Sequence, residues 1–137
     1  MKIGINIIVR RMVMAACGIL VAAGLAFANH SFAAEFDANK PIQLKGKLNG
    51  AELVNPHGWL HVDVVGPDGK TVNWAIEMGG ANALYRRGWK KEDLPVGRVL
   101  LIDGYLAKDG SPTMNGVSIT FEDGRKLFAG SSAGANQ

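Results

Sequence analysis

Cysteine is nearly missing from this sequence: 137 residues contain one, Cys17. It lies in a leader-like segment, so the mature chain is expected to have no disulfide, thiolate nucleophile or Cys-ligated metal. Histidine is also scarce, with only His30, His57 and His61. Acidic residues are absent from the first 28 positions, where Lys2, Arg10 and Arg11 stand. Removing that segment leaves 12 basic and 12 acidic residues, so the apparent net charge of +3 disappears. A neutral domain lacks the electrostatic footprint of a nucleic-acid binder. There is no Gly-x-Ser-x-Gly, His-Glu-x-x-His, phosphate loop or dinucleotide fingerprint. The length suits one domain and is too short for two separate cores.

The basic start is followed by an apolar run over 15–28 that ends in Ala26-Phe27-Ala28, a small-x-small cleavage pattern. The run is about 14 residues, short of the roughly 20 a membrane span needs. The expected result is cleavage after Ala28, export by the general route, and a periplasmic or secreted chain of 29–137 without a transmembrane segment. Within it, 29–41 reads as an amino-terminal arm, 42–128 as the folded domain, and 129–137 as a disordered tail of small polar residues.

The domain reads as strands. Ile42, Leu44 and Leu48 alternate with polar residues, and Asn49-Gly50 marks a bulge. Asn55-Pro56-His57-Gly58 is turn chemistry. Over 59–65, Leu60, Val62 and Val64 face one way and Trp59, His61 and Asp63 the other. Over 71–78, Val72, Trp74, Ile76 and Met78 oppose Asn73, Ala75 and Glu77. Matching apolar faces pairs Val64 with Val72, Val62 with Trp74 and Leu60 with Ile76, because a one-residue slip would reverse a face. That register sets Trp59 opposite Glu77, His61 opposite Ala75 and Asp63 opposite Asn73. A short helix is expected over 81–87, with Asn82 as a candidate cap, Gly88 as its stop, and Leu84 and Trp89 as anchors. Strands follow over 98–107, 114–121 and 126–128. Three strands, a helix and two or three strands predict a mainly β fold: a small five- to six-stranded, OB-like Greek-key barrel.

His30-Ser31-Phe32-Ala33-Ala34-Glu35-Phe36-Asp37, Asn55-Pro56-His57, Trp74-x-x-Glu77-Met78, Arg87-Gly88-Trp89 and Asp123-Gly124-Arg125-Lys126-Leu127-Phe128 occur in that order. Over 30–130 the chain resembles the small exported bacterial proteins that carry domain of unknown function 6152. The resemblance implies export and one small domain, and it carries no assigned activity. Members often begin this region with two histidines; here the first position is Asn29.

Trp59, His61, Asp63, Asn73 and Glu77 form a polar-aromatic strip on the two adjacent strands. An aromatic with hydrogen-bonding neighbours suits a glycan, a small polar molecule or an envelope protein, unless the arm covers Trp59. A metal reading uses the mature terminus, where the Asn29 amine, the next amide nitrogen and His30 suit copper, with His57 or His61 adding a ligand. His57 and His61 are about 13 Å apart along an extended strand, so they cannot share one ion unless the turn folds His57 back. The plainer role of His57 is a turn residue bonded to its own backbone. Arg86, Arg87, Lys90 and Lys91 surround Trp89 and read as a solvated face beside Glu92 and Asp93.

The residues therefore predict an exported, non-catalytic binding or accessory module of the cell envelope, monomeric or dimeric, with no required cofactor. The alternative is a periplasmic copper-binding protein using Asn29, His30 and His57. The third is a small hydrolase.

Overall fold

A computed structural model describes residues 32–130. The leader, Asn29, His30 and the tail from 131 onward lie outside the described residues. Residues 32–35 are helical, and six strands follow: β1 Phe36–Glu52, β2 His57–Val65, β3 Thr71–Gly79, β4 Val99–Ala107, β5 Thr113–Phe121 and β6 Lys126–Phe128. A short helix, α1 (Ala81–Arg86), and a 3₁₀ turn, Lys91–Asp93, link β3 to β4.

The fold is mainly β. Sheet order is β3-β2-β1-β4-β5-β6, and a parallel pairing of β3 with β5 closes five strands into a ring. The β2–β3 register is the one apolar matching predicts, from Trp59 opposite Glu77 to Val64 opposite Val72. The bulge also falls where Asn49-Gly50 marks it: Leu48 pairs with Val62 and Gly50 with His61, leaving Asn49 as the extra residue. A bulge re-aims the residue it frees. Here the Asn49 amide donates to Asp63 Oδ2 at 3.0 Å.

Leu48, Leu60, Val62, Ile76, Met78, Leu100, Ile102, Met114 and Ile119 fill the ring, and Leu84 and Trp89 cap it from the β3–β4 connection. Alternation ties sequence to this core: from His57 to Asp63 in β2, Gly58, Leu60 and Val62 are buried and their outward neighbours half-exposed. The Trp89 indole donates to the Phe128 carbonyl at 2.8 Å and meets the Phe121 ring edge-on at 5.9 Å. Beside it, the guanidinium groups of Arg98 and Arg125 lie 4.5 and 4.6 Å from the Phe121 ring centre. Arg125 also bonds the buried Asp93 carboxylate at 2.5 Å.

Several boundaries differ from the sequence expectation. The strand pattern begins at Ile42, yet β1 starts at Phe36, which pairs with Ala107 across an irregularity that ends at Pro41. The polar run Asp37-Ala38-Asn39-Lys40 hides that extension because it has no alternation. Asn82 does not cap α1. Gly80 occupies the N-cap, and the Asn55 side chain accepts from the Asn82 amide at 3.3 Å. Ala129 and Gly130 do not belong to a disordered tail. Ala129 is fully buried, donates to the Val117 carbonyl and accepts from Gly79, both at 2.8 Å, and so bridges β5 to β3. Its small side chain sits 3.9 Å from where a Gly116 Cβ would be, a fit that composition cannot reveal.

The basic cluster is not a uniform solvated face. Arg87 lies 4.6 Å over the Phe128 ring and donates to the Gly130 carbonyl at 2.6 Å. Asp93, which follows the cluster, is buried, accepts from the Lys90 amide at 2.8 Å and pairs with Arg125. Among the described residues no helix is long and apolar enough to cross a membrane.

Candidate functional site

All five strip residues lie on the outward face of β2 and β3, but the structure divides them into two ends. Trp59 and Asp63 are four residues apart, roughly 13 Å along a strand. At the far end, Asp63 accepts from Asn49 at 3.0 Å and from Asn73 at 2.7 Å, so both of its oxygens are engaged. That arrangement ties the bulge of β1 to β2 and β3. In the middle, His61 Nε2 is 3.5 Å from Glu52 Oε1, a loose pair at the surface.

The near end differs. Glu77 is only 8% exposed although it faces outward from β3. His57 is the first residue of β2 and sits diagonally across from it, two pairs beyond Trp59. The turn before His57 is fixed from behind by Gly80. A Cβ there would stand 2.5 Å from the Pro56 carbonyl oxygen and 2.7 Å from Asn55 Oδ1. No side chain fits at that approach. Nδ1 of His57 does not bond the backbone as a turn residue's would. It lies 2.8 Å from Glu77 Oε1. The separation is that of a hydrogen bond but the ring N–H is not directed along it, and Nδ1 is buried without an in-line partner among the described residues. The ring keeps 41% side-chain exposure, all of it away from that nitrogen.

Burial pushes the Glu77 carboxyl above its ordinary range. The His57 imidazole pulls it back, and the Glu35 carboxylate raises it further. Glu35 is the residue sequence reasoning missed. It reaches this place because the arm is fastened along the end of β4. The Lys108 amide donates to the Glu35 carbonyl at 2.9 Å, and Lys108 Nζ donates to the Ala33 carbonyl at 2.5 Å. Phe32 packs on Phe36 and Tyr105, with ring centres 5.8 and 5.7 Å away.

Beside this end lies a groove of about 590 Å³. The arm residues Ala34, Glu35 and Phe36 line it together with Trp59 and the β4–β5 hairpin from Ala107 to Thr113. Trp59 remains half-buried and lines it, so the arm borders the tryptophan rather than sealing it. The β4–β5 hairpin meets Trp59 only because β5 closes on β3, with Thr113 opposite Ala75 and Asn115 opposite Glu77. Nothing local in the sequence announces that meeting. A second groove, of about 430 Å³, is lined by Ala51, Leu53, Tyr85, Lys91, Leu94 and Val96 and has no carboxylate or imidazole.

Among the described residues no three His, Cys, Asp or Glu side chains stand close enough to hold a metal ion. His57 and Glu77 come together; His61 does not join them. Asn29 and His30 lie outside the described residues.

A model of a family of unknown function, DUF6152, matches residues 16–117, and the chain belongs to that family. No curated protein and no solved structure matches it.

Proposed function

We propose that this chain is an exported, non-catalytic binding or accessory module of the bacterial cell envelope, and that its contact site is the Trp59 groove with the adjoining His57–Glu77 pair. One observation carries the reading. Nδ1 of His57 is buried 2.8 Å from the Glu77 carboxylate and has no in-line hydrogen-bond partner among the described residues. Buried polar groups are ordinarily satisfied, and one that is not calls for an explanation. A ligand seated between Trp59 and the arm would fix the geometry of that pair. The Asp63 end of the strip is a structural tie and is left out of the site.

The site is tested with the mature protein, isotope-labelled and screened with neutral, cationic and anionic fragments at millimolar concentration. Amide shifts gathered at Trp59, Glu77 and Thr113, and lost in Trp59→Ala, are the expected result. Shifts centred elsewhere, or none, would remove the groove from the account. Export is tested by the mass of the protein recovered from the periplasm, with Asn29 expected first.

The copper reading keeps one supporting observation. The arm brings Glu35 close enough to act on Glu77. A carboxylate behind an imidazole is also how many metal-binding histidines are oriented. One-to-one Cu(II) binding in calorimetry, abolished by a single residue added before Asn29, would favour it over the groove. Binding indifferent to that extension would count against it.

A further inference from the structure

We propose that the end of the ring around α1 is a docking surface for an anionic phospholipid bilayer. Val54, Tyr85 and Val96 enter the interface, and Arg86, Lys90 and Lys91 meet its headgroups. The surface makes no use of the Trp59 groove, so either proposal can fail alone.

Five large hydrophobic side chains are well exposed among the described residues, and Val54, Tyr85 and Val96 are three of them, at 51%, 46% and 73%. They come from three separate segments that meet around one groove. Tyr85 and Val96 line it with Leu53 and Leu94, and Val54 follows Leu53. The Val54 carbonyl accepts from the Ala81 amide at 3.0 Å, which fixes that loop at the start of α1. Val96 is held outward by its backbone. Pro95 to Arg98 form a β-turn closed by the Arg98 amide on the Pro95 carbonyl at 3.2 Å, and Gly97 has the positive φ, +88°, that a type II turn requires. The Gly97 amide also donates to the Leu48 carbonyl at 2.7 Å, so the turn is tied to β1 and presents its valine at the tip. Exposed apolar groups that cluster mark interaction or membrane sites; single ones do not.

The charge beside this cluster is a second, independent observation. Arg86 follows Tyr85, Lys91 lines the groove and Lys90 precedes it; all three are exposed. None of the three is ion-paired among the described residues. Arg87 is not counted with them, because it is engaged by Phe128 and the Gly130 carbonyl. Of the neighbouring acids, Asp93 is taken by Arg125 and Glu52 stands by His61, so Glu92 is the remaining counter-charge. The excess is positive. The other two exposed valines, Val65 and Val72, flank the β2–β3 turn, where Lys70 is paired with Asp68 at 3.6 Å. Apolar exposure therefore occurs at both places, and unbalanced positive charge accompanies only the one at α1.

That combination selects the partner. Basic side chains at a membrane surface are drawn to anionic lipids, and tyrosine favours the boundary between water and acyl chains. A free phosphate would use the cations and leave the valines in water. A neutral bilayer would take the valines and gain nothing from the cations. An anionic bilayer uses both.

The experiment is flotation of the folded mature protein with vesicles of phosphatidylcholine, and with vesicles of phosphatidylcholine mixed with phosphatidylglycerol. Binding to the mixed vesicles is expected, and it should weaken as salt rises. Lys90→Gln combined with Lys91→Gln should weaken it roughly tenfold or more. Val96→Ser should weaken it roughly threefold to tenfold. These side chains are exposed, so thermal melts of the variants should match wild type. The only cysteine, Cys17, lies in the leader, so Val96→Cys and Val65→Cys each give the mature chain one attachment point for a polarity-sensitive dye. A blue shift at position 96 and none at position 65 is expected on the mixed vesicles. No binding, equal binding to both vesicle types, or equal shifts at both positions would overturn the proposal. Release of the protein from the vesicles by millimolar glycerol phosphate would assign the cations to a soluble phosphate and overturn the bilayer. Binding of a glutamate-rich peptide in the absence of vesicle binding would overturn it as well.

Discussion

Asp93 and Glu77 are equally hidden, at 7% and 8% exposed, and their proton affinities move in opposite directions. The Arg125 hydrogen bond holds the Asp93 carboxyl below its ordinary range, against the opposing effect of burial, with further help from the Lys90 amide. At Glu77 burial wins, because the nearest cation-former is an imidazole out of line and the next charge is another carboxylate. Asp103 sides with Asp93: the Gln43 amide comes first in lowering it, with Ser118 and Lys126 adding to the effect. A buried acid with a built-in partner is therefore part of the fold here. Glu77, whose neighbour is an out-of-line imidazole, lies across the strand pair from Trp59, and that contrast, rather than burial itself, is what the proposed site rests on.

The largest expected effect breaks the satisfied side of the comparison. Asp93→Ala removes the Arg125 pair and the Lys90 cap, and should cost about 2–3 kcal/mol in urea denaturation at neutral pH. The upper part of the range for buried pairs is not expected, because the Arg125 side chain is 40% exposed. The loss has a pH signature. A carboxyl lowered in the folded state stabilises above its unfolded value, here 3.8, and that stability disappears as pH falls through the folded value. The gap between Asp93→Ala and wild type should therefore narrow in acid. An undiminished gap well below 3.8 would mean that packing, not charge, holds Asp93.

Next in size is Gly80→Ala. Its Cβ would press on the Pro56 carbonyl and Asn55, so the turn that delivers His57 must move, at a cost of about 1–3 kcal/mol. The specific readout is the His57–Glu77 contact. The Glu77 carboxyl, followed by carbon NMR, should titrate higher than in wild type once the imidazole that lowers it is displaced. An unchanged titration would show that burial alone governs Glu77.

Glu77→Gln acts in the opposite sense from Asp93→Ala. A carboxyl raised in the folded state contributes stability in full below its unfolded value, here 4.5, and loses it as pH rises through the folded value. Replacing it with a neutral amide should therefore leave stability in acid unchanged. Above neutrality it should raise stability by less than about 1 kcal/mol. Thermal melts over a pH series distinguish the cases; a variant less stable than wild type at pH 8 would show that the charged form of Glu77 is already satisfied.

How much of this was legible depends on the range of the interaction. The β2–β3 register followed from alternation, because Leu60, Val62, Ile76 and Met78 must share one side. The Asn49 bulge followed from the Asn-Gly pair, and the anchoring role of Trp89 from its place after a helix stop. The mainly β fold followed from the same turn and strand signals. The site was half legible. Trp59 and Glu77 were placed opposite one another, but so were Asp63 and Asn73, and a strand pattern cannot tell a satisfied acid from an unsatisfied one. What separated them was long-range: the freed Asn49 side chain at one end, and the arm's Glu35 with the β4–β5 hairpin at the other. Ala129 was missed for the same reason, since its partners on β3 and β5 are set by ring closure.

The smallest expected effect tests the two ends of the strip against each other. Asn73→Ala removes one of the two amides on Asp63 while Asn49 keeps the other, so Asp63 is not stranded. At this exposed position the loss should be about 0.5–1 kcal/mol. Removing Asn49 as well should cost more than the sum of the single losses, because only then is Asp63 left without a donor. Neither change should alter binding at the Trp59 groove, since Asp63 lies about four residues along the strand from it. A weakened groove in Asn73→Ala would mean that the strip acts as one surface, and Asp63 and Asn73 would have to be returned to the site.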